Sequence, residues 1–322
     1  MDQDLISTVA GARRALGDAG EPKGAQAGET PRYELFHAAN SICSQKVRVV
    51  LAHHAMPYVS HGLNLAIGQT YLPGYVRLRM LGCAHYGGAL VSHHTGSTSA
   101  ASHGCDGAVV PTLVDWGTGE VIVDSHRICL HLDGQVAARE RLRPEALAAS
   151  IDEDLAVIDN MANYQMLMGR TVTRPGPSTA TLTDVGGAFS RRKVAWCTKY
   201  LEECGDDPVL AAAYTAKRAK ELSAADELFS SQAMQSAYDR AEAGLVTLER
   251  KLEGRGGAHW LYDDRLNLAD LFWGVQLSRM KNVGVARFWE AGRLPEVERF
   301  SNATEAIPAI RTAVIDWPGA MF

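Results

Sequence analysis

The chain has 322 residues, 46% of them hydrophobic and 21% charged, with Lys+Arg 32 against Asp+Glu 37 and a formal net charge of -5. That length and apolar content suffice for two domains with full cores and exclude a mostly disordered chain. The acidic excess without a basic cluster argues against nucleic acid as a partner. No apolar run approaches the ~20 residues that span a bilayer, and the N-terminus shows no apolar leader with a cleavage site, so a soluble, cytoplasmic protein without a membrane partner is expected.

Residues 1–31 are small, charged and rich in Gly and Pro, which predicts a flexible extension. Tyr33-Glu-Leu-Phe-His37 reads as a strand, Cys43 to Ala55 as a helix stopped by Pro57, and Tyr58 to Leu65 as a second strand. Strand, helix, strand favours a right-handed crossover and a parallel pair. Further on, Val109 to Val114 and Glu120 to Val123 read as strands joined by an Asp115-Trp-Gly-Thr-Gly119 hairpin, with a helix from Ser125. Pro111 inside an apolar run marks a strand edge or start. These elements make a small α/β sandwich over residues 32–135. It is interrupted at about 80–107 by a Gly-, Ser-, Ala- and His-rich insert, of a length that is usually functional or disordered.

From Arg141 to the C-terminus the pattern is helical: Glu145 to Met168, Gly187 to Cys204, and a charged and apolar stretch from Pro208 to Leu252. Residues 141–322 therefore read as an all-α domain. Its clearest boundary is Asn267-Leu-Ala-Asp270, an N-cap with a carboxylate three residues on, which opens a buried helix from Leu271 to Met280. Six cysteines (Cys43, Cys83, Cys105, Cys129, Cys197, Cys204) in a chain of this length read as reduced thiols.

Four motifs in this order carry a family resemblance: Ser41-Ile-Cys-Ser-Gln-Lys-Val-Arg48, Val109-Val-Pro-Thr-Leu113, Asp124-Ser125 and Asn267-Leu-Ala-Asp270. The chain resembles the cytosolic glutathione S-transferase superfamily over about residues 32–318. The resemblance implies an α/β N-terminal thioredoxin-like domain that binds glutathione, plus an all-α C-terminal domain that takes the substrate. It also implies a cis bond before Pro111 and a homodimer or a heterodimer with a related transferase. Ser-Ile-Cys-Ser looks like the zeta-type signature. With Tyr33-Glu-Leu-Phe-His37, Tyr75-Val-Arg-Leu78 and the closing Ile315-Asp-Trp-Pro-Gly319, the likeness extends to the glutathione-dependent reductive dehalogenases of chlorinated hydroquinones.

Each candidate residue has a functional and a plain reading. Asp124 and Ser125, at a helix start, can bind the γ-glutamyl end of glutathione, or simply cap the helix. Val110 before Pro111 can pair with the tripeptide as an added strand, or the proline can serve an edge turn alone. By resemblance, Ser41 hydrogen-bonds the glutathione sulfur and keeps it as thiolate. Cys43, whose place near a helix N-terminus favours a lowered thiol pKa, would resolve a glutathionyl-aromatic thioether. Its plain reading is packing. Cys83-Ala-His85, His93-His94 and His103-Gly-Cys105 have the residue types of a zinc site but poor spacing, so no metal is expected; His93 or His103 could instead serve as a general base. Tyr164, Met166, Met168, Trp196 and Tyr200 face either the substrate pocket or the core. The resulting expectation is a glutathione-dependent enzyme acting on a small aromatic substrate by reductive dehalogenation. The alternatives are β-aryl ether cleavage and a non-catalytic glutathione-binding subunit.

Overall fold

In the computed structural model, which describes residues 3–99, 104–169, 185–256 and 258–321, the chain opens on a helix where the composition of residues 1–31 predicts a flexible extension. Helix α1 (Gln3–Leu16) buries Leu5, Val9 and Ala12 on one face, and Arg13 donates to Glu34 Oε1 at 2.7 Å. One stripe of three apolar residues is enough for a helix that lies along another helix, and so small a stripe hardly registers in composition. Strand β1 (Glu21–Lys23) then pairs antiparallel with β3 (Tyr58–Gly62), Glu21 opposite Ser60 and Lys23 opposite Tyr58.

The sheet runs in the order β1-β3-β2-β4-β5, with β2 at Tyr33–His37, β4 at Thr112–Asp115 and β5 at Glu120–Val123. β2 and β3 are parallel, and their crossover is α2 (Ile42–His53). β2–β4 and β4–β5 are antiparallel. Neighbouring residues on β2 serve opposite faces: Leu35 joins the core under α2 and α4 (Ser125–Gly134), while Phe36 joins that under α1 and α3 (Pro73–His85). Every residue from Ile42 to Leu51 is buried, because α2 is covered by the sheet on one side and by the helical domain on the other.

The helical domain comprises α5 (Ala148–Asp159), α6 (Asn163–Met168), α7 (Val185–Cys204), α8 (Pro208–Glu227), α9 (Ser231–Glu253), α10 (Leu268–Asn282), α11 (Pro295–Glu305) and a short α12 (Pro308–Ile310). The two long helices read from the sequence are each divided, the first between Asp159 and Asn163, the second where Ser230 accepts the Ala233 amide at 3.2 Å and starts α9. Asn267 and Asp270 form a reciprocal capping box, and α10 behind it is buried from Leu268 to Met280. Among the described residues no helix is long and apolar enough to cross a membrane.

Candidate active site

The first turn of α2 carries the two residues proposed for chemistry. Ser41 is the N-cap; its Oγ accepts the Ser44 amide at 3.3 Å and keeps its own proton available as a donor. Capping and thiolate binding are therefore compatible roles. Two residues on, Cys43 is only 5% exposed and its thiol donates to the Thr98 carbonyl at 3.6 Å. Burial pushes this thiol up, against the pull of the Lys46 ammonium. This reverses the expectation of a lowered pKa at the helix start: desolvation of the thiolate outweighs the helix amides here.

Val110 and Pro111 are joined by a cis peptide bond, and the ladder of β4 begins only at Thr112, so the Val110 N–H and C=O stand outside the sheet pairing. The flanking carbonyls are fixed: Tyr75 donates to Val109 O at 2.7 Å and Arg79 Nη1 to Pro111 O at 2.5 Å. At the start of α4, Asp124 has a φ of 73°, unusual for a residue with a side chain, and accepts the His126 amide at 3.0 Å. Burial first, and then the nearby Asp159, push its carboxyl up, the condition of a carboxylate that would gain from a cationic partner. Ser125 is 1% exposed and its hydroxyl has no hydrogen-bond partner among the described residues.

Ser41, Cys43 and Val110 line one cleft of about 290 Å³; Pro111, Asp124 and Ser125 do not. The link between these groups is the insert. Its first residues, 80–85, are the last part of α3 and no loop, and the described part beyond is tied down at several points. Val91 N donates to Cys105 O at 2.8 Å, the amides of Tyr164 and Gln165 donate to Gly96 O at 3.0 and 3.2 Å, and Ser99 Oγ reaches Asp124 Oδ2 at 3.5 Å. Thr98 and Ser99 thus bridge from Cys43 to Asp124. Short turns of this kind leave no apolar periodicity to read.

The histidines divide differently from the sequence expectation. His93 is exposed and faces Glu227 at 3.3 Å, while His103 lies outside the described residues. It is His94 that lines the cleft, 5% exposed, stacked on Tyr164 with ring centroids 4.5 Å apart and accepting the Gly96 amide at Nδ1. Burial holds it well below the usual imidazole range, so it is neutral with its proton on Nε2. Cys83 and Cys105 share a small apolar cluster with Val123, and no metal-binding group of three ligands occurs among the described residues. Of the aromatic and Met candidates, Tyr164 and Met168 line the cleft. Met166 is core, and Trp196 and Tyr200 pack around Tyr71 and Tyr214.

Sequence reasoning missed the charged wall of this cleft. Lys217 and Lys220, one turn apart on α8, hold Asp106 at 2.8 and 2.9 Å, while Lys217 and Lys193 hold Glu221 at 2.9 and 3.1 Å. In the sequence these residues look like the solvated face of a charged helix. Only the packing of the insert's Asp106 against α8 turns that face inward.

A parallel β2–β3 pair crossed by α2, a cis-proline leading into β4, the Asp124–Ser125 helix start and the capped α10 define the fold of a glutathione transferase. Solved structures with this fold include Ure2p in complex with glutathione (TM-score 0.54, 16% identity, 89% of this chain and 100% of that one). Another is the β-etherase LigF from Sphingobium sp. strain SYK-6 (TM-score 0.56, 13% identity, 88% of this chain and 98% of that one). No family model matches the chain. Two proteins from strains of Sphingobium indicum, each described as a 2,5-dichlorohydroquinone reductive dechlorinase, are 35% identical to it over 295 residues, 90% of this chain and 84% of theirs. The chain belongs to this reductive dechlorinase family and has the glutathione transferase fold.

Proposed function

We propose that the protein uses glutathione to remove a halogen reductively from a halogenated hydroquinone. The observation that carries this reading is the placement of Ser41 and Cys43 on one helix turn, lining the same cleft as the unpaired Val110 backbone. In this reading the glutathione backbone pairs with Val110, its γ-glutamyl ammonium meets Asp124 and its carboxylate meets Ser125 and the amides opening α4. Glutathione as co-substrate also suits the reducing cytoplasm, which matches six cysteines without a disulfide among them.

Three balanced steps follow. The glutathione thiolate, held by the Ser41 hydroxyl, displaces halide from the ring and leaves a thioether. The Cys43 sulfur then attacks the glutathionyl sulfur; the ring carbon takes the electron pair and the thiol's proton, and Cys43 is left as a mixed disulfide with glutathione. A second glutathione frees Cys43 and departs as glutathione disulfide. The ring gains two electrons, and two glutathione thiols lose them. Cys43 attacks as thiolate, so the raised pKa of its buried thiol opposes this step; the proton has to leave the sulfur as the S–S bond forms, and it is the proton that the ring carbon takes.

Single-turnover mass spectrometry of Cys43→Ser tests this. The variant should accumulate the glutathionyl-hydroquinone, and a variant that still yields fully reduced product overturns the resolving role. Ser41→Ala should slow the first step by about 10²- to 10³-fold, as expected for loss of one hydrogen bond to an anion. The burial of Cys43 also fits a packing role, and ether cleavage needs the glutathione thiolate but not Cys43; in that case Cys43→Ser leaves the products unchanged. Calorimetry that detects no glutathione binding at several millimolar would remove both enzymatic readings.

A further inference from the structure

One part of the cleft lining is built from charge. Lys217, Lys220 and Glu221 on α8 and Asp106 from the insert are buried, the half-buried Lys193 on α7 joins them, and all but Asp106 line the cleft. Three cations face two carboxylates, leaving one positive charge. Donor capacity is also unspent. An ammonium has three N–H groups; Lys220 gives one to Asp106, Lys217 gives one each to Asp106 and Glu221, and Lys193 gives one each to Glu221 and the Tyr164 hydroxyl at 3.1 Å. Among the described residues, at least one donor on each lysine has no protein acceptor.

We propose that Lys193 and Lys220 form an oxyanion subsite, which holds a phenolate or carboxylate oxygen of a ligand seated in the cleft. The proposal rests on the reading that glutathione and an aromatic substrate share this space, and it adds what their recognition requires. An excess positive charge beside an apolar cleft is costly to keep unless an anion joins it. The apolar surroundings favour a flat ring as the bearer of that anion. Lys193 Nζ lies 4.2 Å from the Tyr164 ring centroid and 5.0 Å from that of Phe189, the neutral His94 ring is stacked on Tyr164, and Leu167 and Met168 also line the cleft. A halogenated hydroquinone ionises more readily than a plain phenol, so it would arrive with the charge that the lysines lack. The second source of the same chemistry is the glycyl carboxylate of glutathione, because Thr70 and Tyr71 line this cleft too and Lys217 Nζ stands 5.9 Å from the Tyr71 ring. Burial pulls the Lys220 ammonium below its usual range although Asp106 opposes this, as expected for a cation with too little negative charge around it.

Equilibrium binding to the full chain separates these cases without requiring turnover. With S-methylglutathione saturating, calorimetry at pH 7.5 compares fluorinated phenols of nearly equal size, from mainly neutral to fully ionised, with the matching anisoles. Ionised phenols should bind at least about tenfold more tightly than neutral ones, and Lys220→Met and Lys193→Met should erase that preference. Each variant leaves the carboxylates a lysine partner, since Lys217 contacts both Asp106 and Glu221. In the second arm, glutathione is compared with its glycyl monoester. If the lysine variants weaken glutathione about tenfold but leave the ester unchanged, the oxyanion is the peptide's carboxylate. The subsite is overturned if wild-type protein distinguishes neither phenolate from phenol nor glutathione from its ester. That comparison stands even where a variant does not fold. Phenolate binding alongside unchanged Cys43→Ser products would remove the dechlorination reading and keep the subsite.

Discussion

Asp115 shows how one residue can set the acid limit of the fold. It ends β4, and its carboxylate takes Arg32 Nε and Nη2 at 2.7 Å each, His131 Nε2 at 2.8 Å and the Gly117 amide at 2.8 Å. Burial alone would push the carboxyl up, but Arg32, then His131 and the amide, hold it at about 2. A depressed carboxyl pKa means that the unfolded chain binds the proton more readily. The stabilisation is therefore fully present above about pH 4 and is lost as pH falls toward about 2. Asp115→Asn should cost on the order of 2 kcal/mol at pH 7 and flatten the loss of stability below pH 4. Urea titrations of both proteins at pH 7, 4 and 3 check this, and equal slopes against pH would exclude Asp115 as the titrating group.

Helix α1 makes the corresponding point for an element. A Cβ at Gly74 would stand 2.7 Å from the Gly11 carbonyl and 3.0 Å from the Ala15 Cβ, so α1 and α3 touch through two glycines. Gly74→Ala should destabilise by about 1–3 kcal/mol despite alanine's better helix propensity, because backbone cannot move aside as a side chain can. Denaturant midpoints measure that, and an unchanged or raised midpoint would show that α1 shifts freely. This contact also explains which elements could be read from the sequence. β2, α2, β5, α4 and α10 are legible because each bears a dense apolar pattern or a definite stop and start, such as Pro57, Asp115-Trp-Gly-Thr-Gly119 or Asn267 with Asp270. α1 is not, since its partner is the glycine face of another helix and its apolar stripe is only Leu5, Val9 and Ala12. The site divides in the same way. Ser41, Cys43, Val110 and Asp124 stand at helix and strand starts that local sequence marks. His94, Thr98 and the Lys193–Lys220 wall depend on how the insert lies against α6 and α8, which no local pattern records.

Across the whole molecule, α2 is the shared core of both domains. Gln45 donates to Ala320 O at 3.0 Å, Arg48 Nε to Ala313 O at 3.0 Å, and Arg279 of α10 reaches back to Asn40 O at 2.6 Å. A charged tie joins the domains, Lys46 Nζ to Asp159 Oδ1 at 2.6 Å, with Asp159 Oδ2 also 3.0 Å from His126 Nδ1 of α4. Lys46 is buried and Asp159 nearly so. Such a pair adds little net stability over an apolar replacement, but breaking it from one side strands the other charge. Lys46→Met should therefore cost about 3–5 kcal/mol, whereas Lys46→Met with Asp159→Asn should recover part of that loss. Because the carboxylate sits on α5 and its partner on α2, the cost should fall on both domains together. Hydrogen exchange read by mass spectrometry on peptides of β2 and β4, and separately of α9 and α10, resolves the two. Equal loss of protection in both sets is expected from a single cooperative unit. Loss confined to one set would mean that the domains open independently, and that the first turn of α2, with Ser41 and Cys43, is held by the sheet alone.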